Sequence, residues 1–212
     1  MLTTTLSQLH QLKLSGMAKA LSQQLEQPGQ YQDLCFAERL QLLTDQEIHE
    51  RDNRKQQRLL KQAQLKLAAN AHDIDYQHPR GLQKSVRTGL LQCDWLQRQQ
   101  NLLLTGPCGT GKTYIACAIA NTACLKGYTV KYYRVSRLLM ELTQAKADGT
   151  YSKKLKSLAK LNLLILDDWG LEPLKAAQRN DLMEIMDDRH GSSSTILISQ
   201  LPTDQWYQSI GD

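Results

Sequence analysis

Eight consecutive residues carry the clearest chemistry in this 212-residue chain: Gly106, Pro107, Cys108, Gly109, Thr110, Gly111, Lys112 and Thr113. They spell G-x-x-x-x-G-K-[ST], which grips phosphate when an apolar strand precedes it and a helix follows. Both neighbours are legible here, an apolar run over Leu102–Thr105 and a helical pattern over Lys112–Leu125. The glycines let successive backbone N–H groups turn toward phosphate oxygens, and the positive end of the helix dipole adds to that field. Lys112 is the side chain that reaches the β- and γ-phosphates, and the Thr113 hydroxyl is a magnesium ligand. Cys108 falls at a variable position and reads as a small filler; Tyr114 is grouped with the loop as a nucleotide contact.

A second acidic element follows. The apolar residues 163–166 end in Asp167 and Asp168, the pattern of a strand whose terminal carboxylate holds magnesium through its hydration shell. Asp167 takes that role, and Asp168 is placed to polarise a water for attack on the γ-phosphate. Glutamate is commoner at the second position, and aspartate is one methylene shorter. The tetrapeptide Asp167-Asp168-Trp169-Gly170 also spells D-x-x-G, a GTPase signature. However, the guanine-reading N-K-x-D is absent from the chain, and an extra strand separates the loop from the acids, so ATP is favoured. Ser199 and Gln200 close a further apolar run, where a polar side chain could sense the γ-phosphate and orient the water; an ordinary strand end is the alternative.

These residues need a scaffold that brings several strand ends together. Past residue 100, apolar runs at 102–105, 128–133, 163–166 and 195–199 alternate with helical patterns at 112–125, 136–147, 152–160 and 175–189. Such alternation predicts an α/β fold, a parallel sheet covered by helices on both faces. Upstream the text reads helical from 6 to 67. Leu14, Met17, Leu21 and Leu25 share one face before Pro28-Gly29 ends the run. Phe36, Leu40 and Leu43 open a second helix, supported by Glu47/Arg51 and Glu50/Arg54 at i,i+4. The expected organisation is a small helical domain over 1–69, a linker and lead-in over 70–100, and a nucleotide-binding core over 101–212.

The formal charge is +5. Residues 1–75 are balanced, so the excess lies in 76–212, and 126–160 alone carries nine basic residues against Glu141 and Asp148. Lys131, Arg134, Arg137, Lys153, Lys154 and Lys156 are therefore candidate DNA-phosphate contacts, as are Arg54, Lys55, Arg58 and Lys61 on the polar helix upstream. A solvated basic face is the alternative in both places. Five scattered cysteines without a C-x-x-C pair fit a reducing cytoplasm, and the N-terminus has neither a secretory pattern nor an apolar run of spanning length.

Leu12-Lys-Leu-Ser-Gly-Met-Ala18, Phe36-Ala-Glu-Arg-Leu40, Cys93-Asp-Trp95, the loop 106–113, residues 163–170 and Ser199-Gln-Leu-Pro202 with Trp206 resemble the IstB transposition-helper family, AAA+ ATPases related to the helicase loader DnaC. The resemblance covers essentially the whole chain. It implies an ATP- and Mg²⁺-dependent homo-oligomer that deforms DNA and hands it to a transposase. It also implies that Ile74 and Tyr76 lie near the adenine and that Gln200 or Ser199 is sensor 1. A full AAA+ module continues into a fifth strand, an arginine finger and a helical lid. The sequence reaches Asp212 soon after the sensor-1 strand, so the resemblance implies a core truncated before that strand and lid, and nucleotide binding more directly than turnover. Arg179 and Arg189 precede the sensor-1 strand and are not assigned as the finger. A replicative-helicase loader that uses ATP as a switch is the alternative reading, and a metabolic P-loop kinase a further one.

Overall fold

The computed structural model describes residues 2–73 and 84–207. The chain forms two compact units, Met1–Arg58 and Leu59–Asp212. The first contains α1 (Leu2–Gln11), α2 (Ser15–Glu26), a 3₁₀ turn at Pro28–Tyr31 and most of α3 (Phe36–Ala63), whose last residues belong to the second unit.

The helical text before Pro28 holds two helices, and the face of Leu14, Met17, Leu21 and Leu25 runs along α2 from its N-cap residue Leu14. Lys13 adopts a left-handed conformation (φ 59°) that ends α1. The apolar spacing slips at this point, from Leu6, Leu9 and Leu12 in steps of three to Leu14, Met17, Leu21 and Leu25. The cause is distant in sequence: the buried Glu47 carboxylate on α3 accepts the backbone N–H groups of Gly16 (2.7 Å) and Met17 (3.2 Å) and so caps α2. Gly16 makes this approach possible, because a Cβ there would stand 2.7 Å from the Gln46 carbonyl oxygen and from Glu47 Cα. The Glu47/Arg51 pair forms as expected, at 2.7 Å. The Glu50/Arg54 pair does not. Arg54 Nε donates to the Glu50 main-chain carbonyl instead, and its guanidinium reaches Glu47 at 3.8 Å.

The second unit adds α4 (Lys84–Gln92), α5 (Asp94–Gln97), β1 (Leu102–Thr105), α6 (Lys112–Leu125), β2 (Val130–Arg134), α7 (Val135–Ala147), α8 (Tyr151–Ala159), β3 (Leu163–Asp167), α9 (Ala176–Arg189) and β4 (Ser194–Ser199). All strand pairs are parallel, in the order β1-β4-β3-β2. Strand side chains alternate between two cores. Val130, Tyr132, Leu163, Ile165, Ile196 and Ile198 pack with α5, α6 and the end of α3, whereas Tyr133, Leu164, Leu166 and Leu197 pack with α7, α8 and α9. Alanine and cysteine at 116–118, 120, 123 and 124 keep α6 slim enough to lie buried against the sheet. Arg189, 2% exposed, donates to the carbonyls of Leu158, Leu161 and Ser194 and to the Thr195 hydroxyl, pinning the end of α9 to the sheet. Burial lowers its pKa to about 10, so it remains charged at neutral pH.

Candidate nucleotide site

Because every strand pair is parallel, the loop after β1, the acids after β3 and the residues after β4 emerge at one edge of the sheet, where open α/β folds bind ligands. The loop opens at Thr105 and closes at Gly111, which caps α6 with φ 82°. Gly109 has φ 83° with open space around it, so the need for glycine there is conformational rather than steric. Lys112 Nζ is folded onto the loop itself, donating to the carbonyls of Gly106 (2.6 Å) and Pro107 (2.7 Å). The Thr110 hydroxyl donates to Pro107 O at 3.0 Å. Cys108 is an exposed free thiol, and Tyr114 is half-buried against the α6 core. Cys93, Cys117 and Cys124 are buried, and burial raises each thiol pKa, that of Cys124 to about 11, which keeps them protonated and inert.

The Thr113 hydroxyl donates to Asp167 Oδ2 at 2.9 Å, joining the first turn of α6 to the end of β3. Asp167 is 2% exposed, and its other partners were not foreseen from the sequence. Tyr132 donates its hydroxyl to the same oxygen at 2.6 Å, Lys66 Nζ lies 3.8 Å away, and the Asp168 N–H occupies Oδ1 at 2.9 Å. Burial first, and the Asp167 carboxylate second, push the Tyr132 phenol well above its ordinary pKa, so it stays a donor. One signal for Tyr132 was present: a tyrosine at alternating register in Val-Lys-Tyr-Tyr-Arg must face either the loop helix or the opposite layer, and only the former reaches the acids. Lys66 gave no local signal.

Asp168 lies in the left-handed region (φ 62°), a conformation costing a non-glycine residue about 1–2 kcal/mol. Its carboxylate is held by Arg134 Nε at 2.8 Å. The turn is locked from below, with the Trp169 N–H donating to Ile198 O and the Ser199 hydroxyl to Trp169 O at 2.8 Å. Ser199 Oγ also accepts the Leu201 N–H, so this buried hydroxyl is committed to joining β4 to the acidic turn, while Gln200 is exposed beside it. Ile74 and Tyr76 lie outside the described residues.

The oxygen donors assembled here, one buried carboxylate and one hydroxyl, suit a hard divalent cation that keeps waters and shares phosphate oxygens. Among the described residues no group of three or more His, Cys, Asp or Glu could hold a metal by itself. Part of the basic segment is engaged internally: Lys131 bonds Gln62 O and Gln64 Oε1, Arg134 pairs with Asp168, Lys146 with Asp181, and Lys154 with Glu141. Burial first, then Lys154, lowers the Lys131 pKa. Arg137, Lys153, Lys156 and Lys160 are exposed; Lys153 and Lys156, at i and i+3 along α8, share one face, and Lys160 follows as the C-cap residue. Arg54, Lys55 and Arg58 are exposed on α3, as is Lys61 nearer its end. Among the described residues no helix is long and apolar enough to cross a membrane.

Residues 7–212 match the model of a family described as IstB-like ATP binding protein. A protein of insertion sequence IS1162 from Pseudomonas fluorescens, described as ATP-binding, is 50% identical over 94% of this chain and 86% of its own length. Among solved structures, a DnaC helicase loader aligns with a TM-score of 0.51 and 27% identity, covering 63% of this chain and 77% of its own. AMPPCP-bound DnaA from Aquifex aeolicus aligns over 68% of this chain with a TM-score of 0.61 and 20% identity, a likeness of fold alone. The chain spans 45% of that DnaA's length.

Proposed function

This chain belongs to the IstB-like ATP-binding family of AAA+ fold, and from that membership and the site geometry we propose that it is a Mg²⁺-dependent ATPase that binds and remodels DNA to assist a transposase. The observation that carries the nucleotide half is the 2.9 Å bond between Thr113 and Asp167, which unites two motifs 54 residues apart. In this reading the loop N–H groups of 106–112 hold the triphosphate. Lys112 leaves the Gly106 and Pro107 carbonyls for the β- and γ-phosphates. Thr113 and Asp167 hold the magnesium ion, which offsets phosphate charge. Asp168 accepts the proton of the water whose oxygen bonds the γ-phosphorus as the bond to the β-phosphate oxygen breaks and ADP departs. Gln200 orients that water, since Ser199 is occupied. Ile74 and Tyr76 belong at the adenine.

The DNA half rests on the cationic face of α8, with Arg137 and the exposed basic residues of α3 as further contacts. Such a surface binds phosphates with little sequence preference. The helical domain serves partner or DNA contact, and the protein acts as a cytoplasmic homo-oligomer. Electrophoretic mobility of a duplex at rising salt, with ATP and with ADP, tests this. Affinity that falls steeply with salt and depends on the nucleotide supports the reading, and binding indifferent to both contradicts it. The 27% identity to the DnaC structure favours a second reading, a helicase loader. Capture of a replicative helicase rather than the transposase by the tagged chain would select it.

A further inference from the structure

The stretch that follows α3 is held by β2 on one side and by α6 on the other. Gln64 turns out of the helix in the left-handed region (φ 49°), an unfavourable conformation for a residue with a side chain. Lys131 on β2 fixes that turn, donating to Gln62 O at 3.1 Å and to Gln64 Oε1 at 2.7 Å. The buried Cys117 sulfur on α6 accepts the N–H groups of Leu67 and Lys66. One turn further along α6, Asn121 donates to Ala69 O at 3.0 Å and to the Asn70 side-chain oxygen at 2.9 Å. The backbone of Lys66 is therefore fixed, although its side chain is 41% exposed.

That fixed backbone sets an ammonium group beside the proposed metal-binding carboxylate and gives it nothing to bond. Lys66 Nζ is 3.8 Å from Asp167 Oδ2, beyond hydrogen-bond reach. The same oxygen already accepts the Thr113 and Tyr132 hydroxyls at 2.9 and 2.6 Å, and Oδ1 accepts the Asp168 N–H. Lys112, by contrast, directs its ammonium onto the Gly106 and Pro107 carbonyls. The Lys66 contact is thus one of charge alone, screened by solvent, and its N–H donors lack an acceptor among the described residues. A phosphoryl oxygen has the charge and the lone pairs to fill that need. Magnesium held by a strand-end carboxylate bridges the β- and γ-phosphates, so a cation beside that carboxylate neighbours them. The β-phosphate is enclosed by the loop N–H groups, which leaves the terminal oxygens for Lys66.

We propose that Lys66 is a γ-phosphate-binding residue, a second cation carried by the segment after α3 rather than by the phosphate loop, and that its bond to a terminal oxygen makes the site prefer ATP to ADP. The inference rests on the reading of the chain as a Mg²⁺-dependent ATPase, and it adds a residue that lies outside both the loop and the strand motif. Lys112 serves the β- and γ-phosphates together, whereas a contact to the terminal phosphate alone vanishes when ADP is bound.

Lys66→Met keeps an unbranched apolar stem and removes the charge, and Lys66→Arg keeps the charge. Each full-length variant and the wild type are titrated calorimetrically in Mg²⁺ with the non-hydrolysable analogue AMPPCP and, separately, with ADP. The expected result for K66M is AMPPCP affinity lowered about tenfold to a hundredfold, the worth of one charge-assisted contact, with ADP affinity unchanged, which also reports that the site is folded. K66R should recover most of the AMPPCP affinity. Equal AMPPCP affinity in K66M and the wild type overturns the inference alone. So does an equal loss for both nucleotides, which would make Lys66 a support of the fold. A Mg²⁺ titration at fixed AMPPCP tests the rival in which Lys66 merely stands where the ion goes: tighter Mg²⁺ binding by K66M, with no loss of AMPPCP, would overturn the inference as well. A wild-type chain that binds neither nucleotide overturns the ATPase reading and this inference with it.

Discussion

The unit Met1–Arg58 and the unit Leu59–Asp212 are held together by different physics. The second has two continuous apolar cores, one on each face of the sheet, in which Leu163, Leu164, Ile165, Leu166 and Ile196 are fully buried. The first buries little apolar surface among its described residues: Ala18 and Leu43 are its buried hydrophobics, while Phe36, Leu40, Leu42 and Ile48 are exposed. Its helices are joined by polar contacts, Glu47 capping α2 and Gln24 exchanging hydrogen bonds with Arg39 on α3. A core held by area tolerates pH and is broken by cavities. A unit held by one buried carboxylate is broken by a methyl group or a proton.

The largest effect separating the two should come from Ile165→Ala, which empties a fully buried position in the central strand β3 and is expected to cost about 2–5 kcal/mol. Urea denaturation followed by tryptophan fluorescence would measure it, and a loss below 1 kcal/mol would mean that the sheet core is not where the stability lies. Next comes Gly16→Ala. The added Cβ meets backbone 2.7 Å away, so α2 must shift from α3 at an expected cost of about 1–3 kcal/mol to the first unit. ATP affinity should be unchanged; a parallel loss of nucleotide binding would defeat the separation of the two units.

A smaller and pH-dependent effect belongs to Glu47. Burial alone would raise its pKa, but the Arg51 hydrogen bond and the N–H groups of Met17 and Gly16 outweigh it and hold the carboxyl below its ordinary value. A depressed carboxyl pKa stabilises the fold above the unfolded-state value and loses that contribution as pH falls through the folded one. Helicity of the first unit should therefore drop as the pH falls below the ordinary carboxylate range, before the second unit melts. Glu47→Gln should be less stable by about 1 kcal/mol at neutral pH and lack that acid step. Smallest in stability is Tyr132→Phe, which removes one of the hydrogen bonds to Asp167 at an expected cost of about 1 kcal/mol. Its sharper signature is a raised Mg²⁺ requirement for nucleotide binding, because Asp167 loses the group that fixes its orientation; an unchanged requirement would remove Tyr132 from the site.

The same division decides what could be read from the sequence. The phosphate loop was legible because phosphate binding constrains residue type and spacing together, and the alternation of short strands and helices followed from burying both faces of a parallel sheet. The cause of the break at Lys13 was not, because the Glu47 carboxylate that caps α2 sits on another helix. Charge counting found the basic segment, yet Lys131, Arg134, Lys146 and Lys154 turn out to be engaged by partners that only the tertiary fold supplies. Ser199, a candidate from position alone, has its hydroxyl consumed by Trp169 and Leu201, while Gln200 beside it is exposed.

The central claim is that residues 106–113 and Asp167 form a nucleotide site whose key cation is Lys112. Equilibrium titration of ATP in Mg²⁺ into the wild-type chain and into Lys112→Ala tests it most directly. The account predicts saturable binding by the wild type and an affinity about tenfold to a hundredfold lower in the variant, the worth of one charge-assisted contact to phosphate. Equal affinity in the two proteins would contradict it.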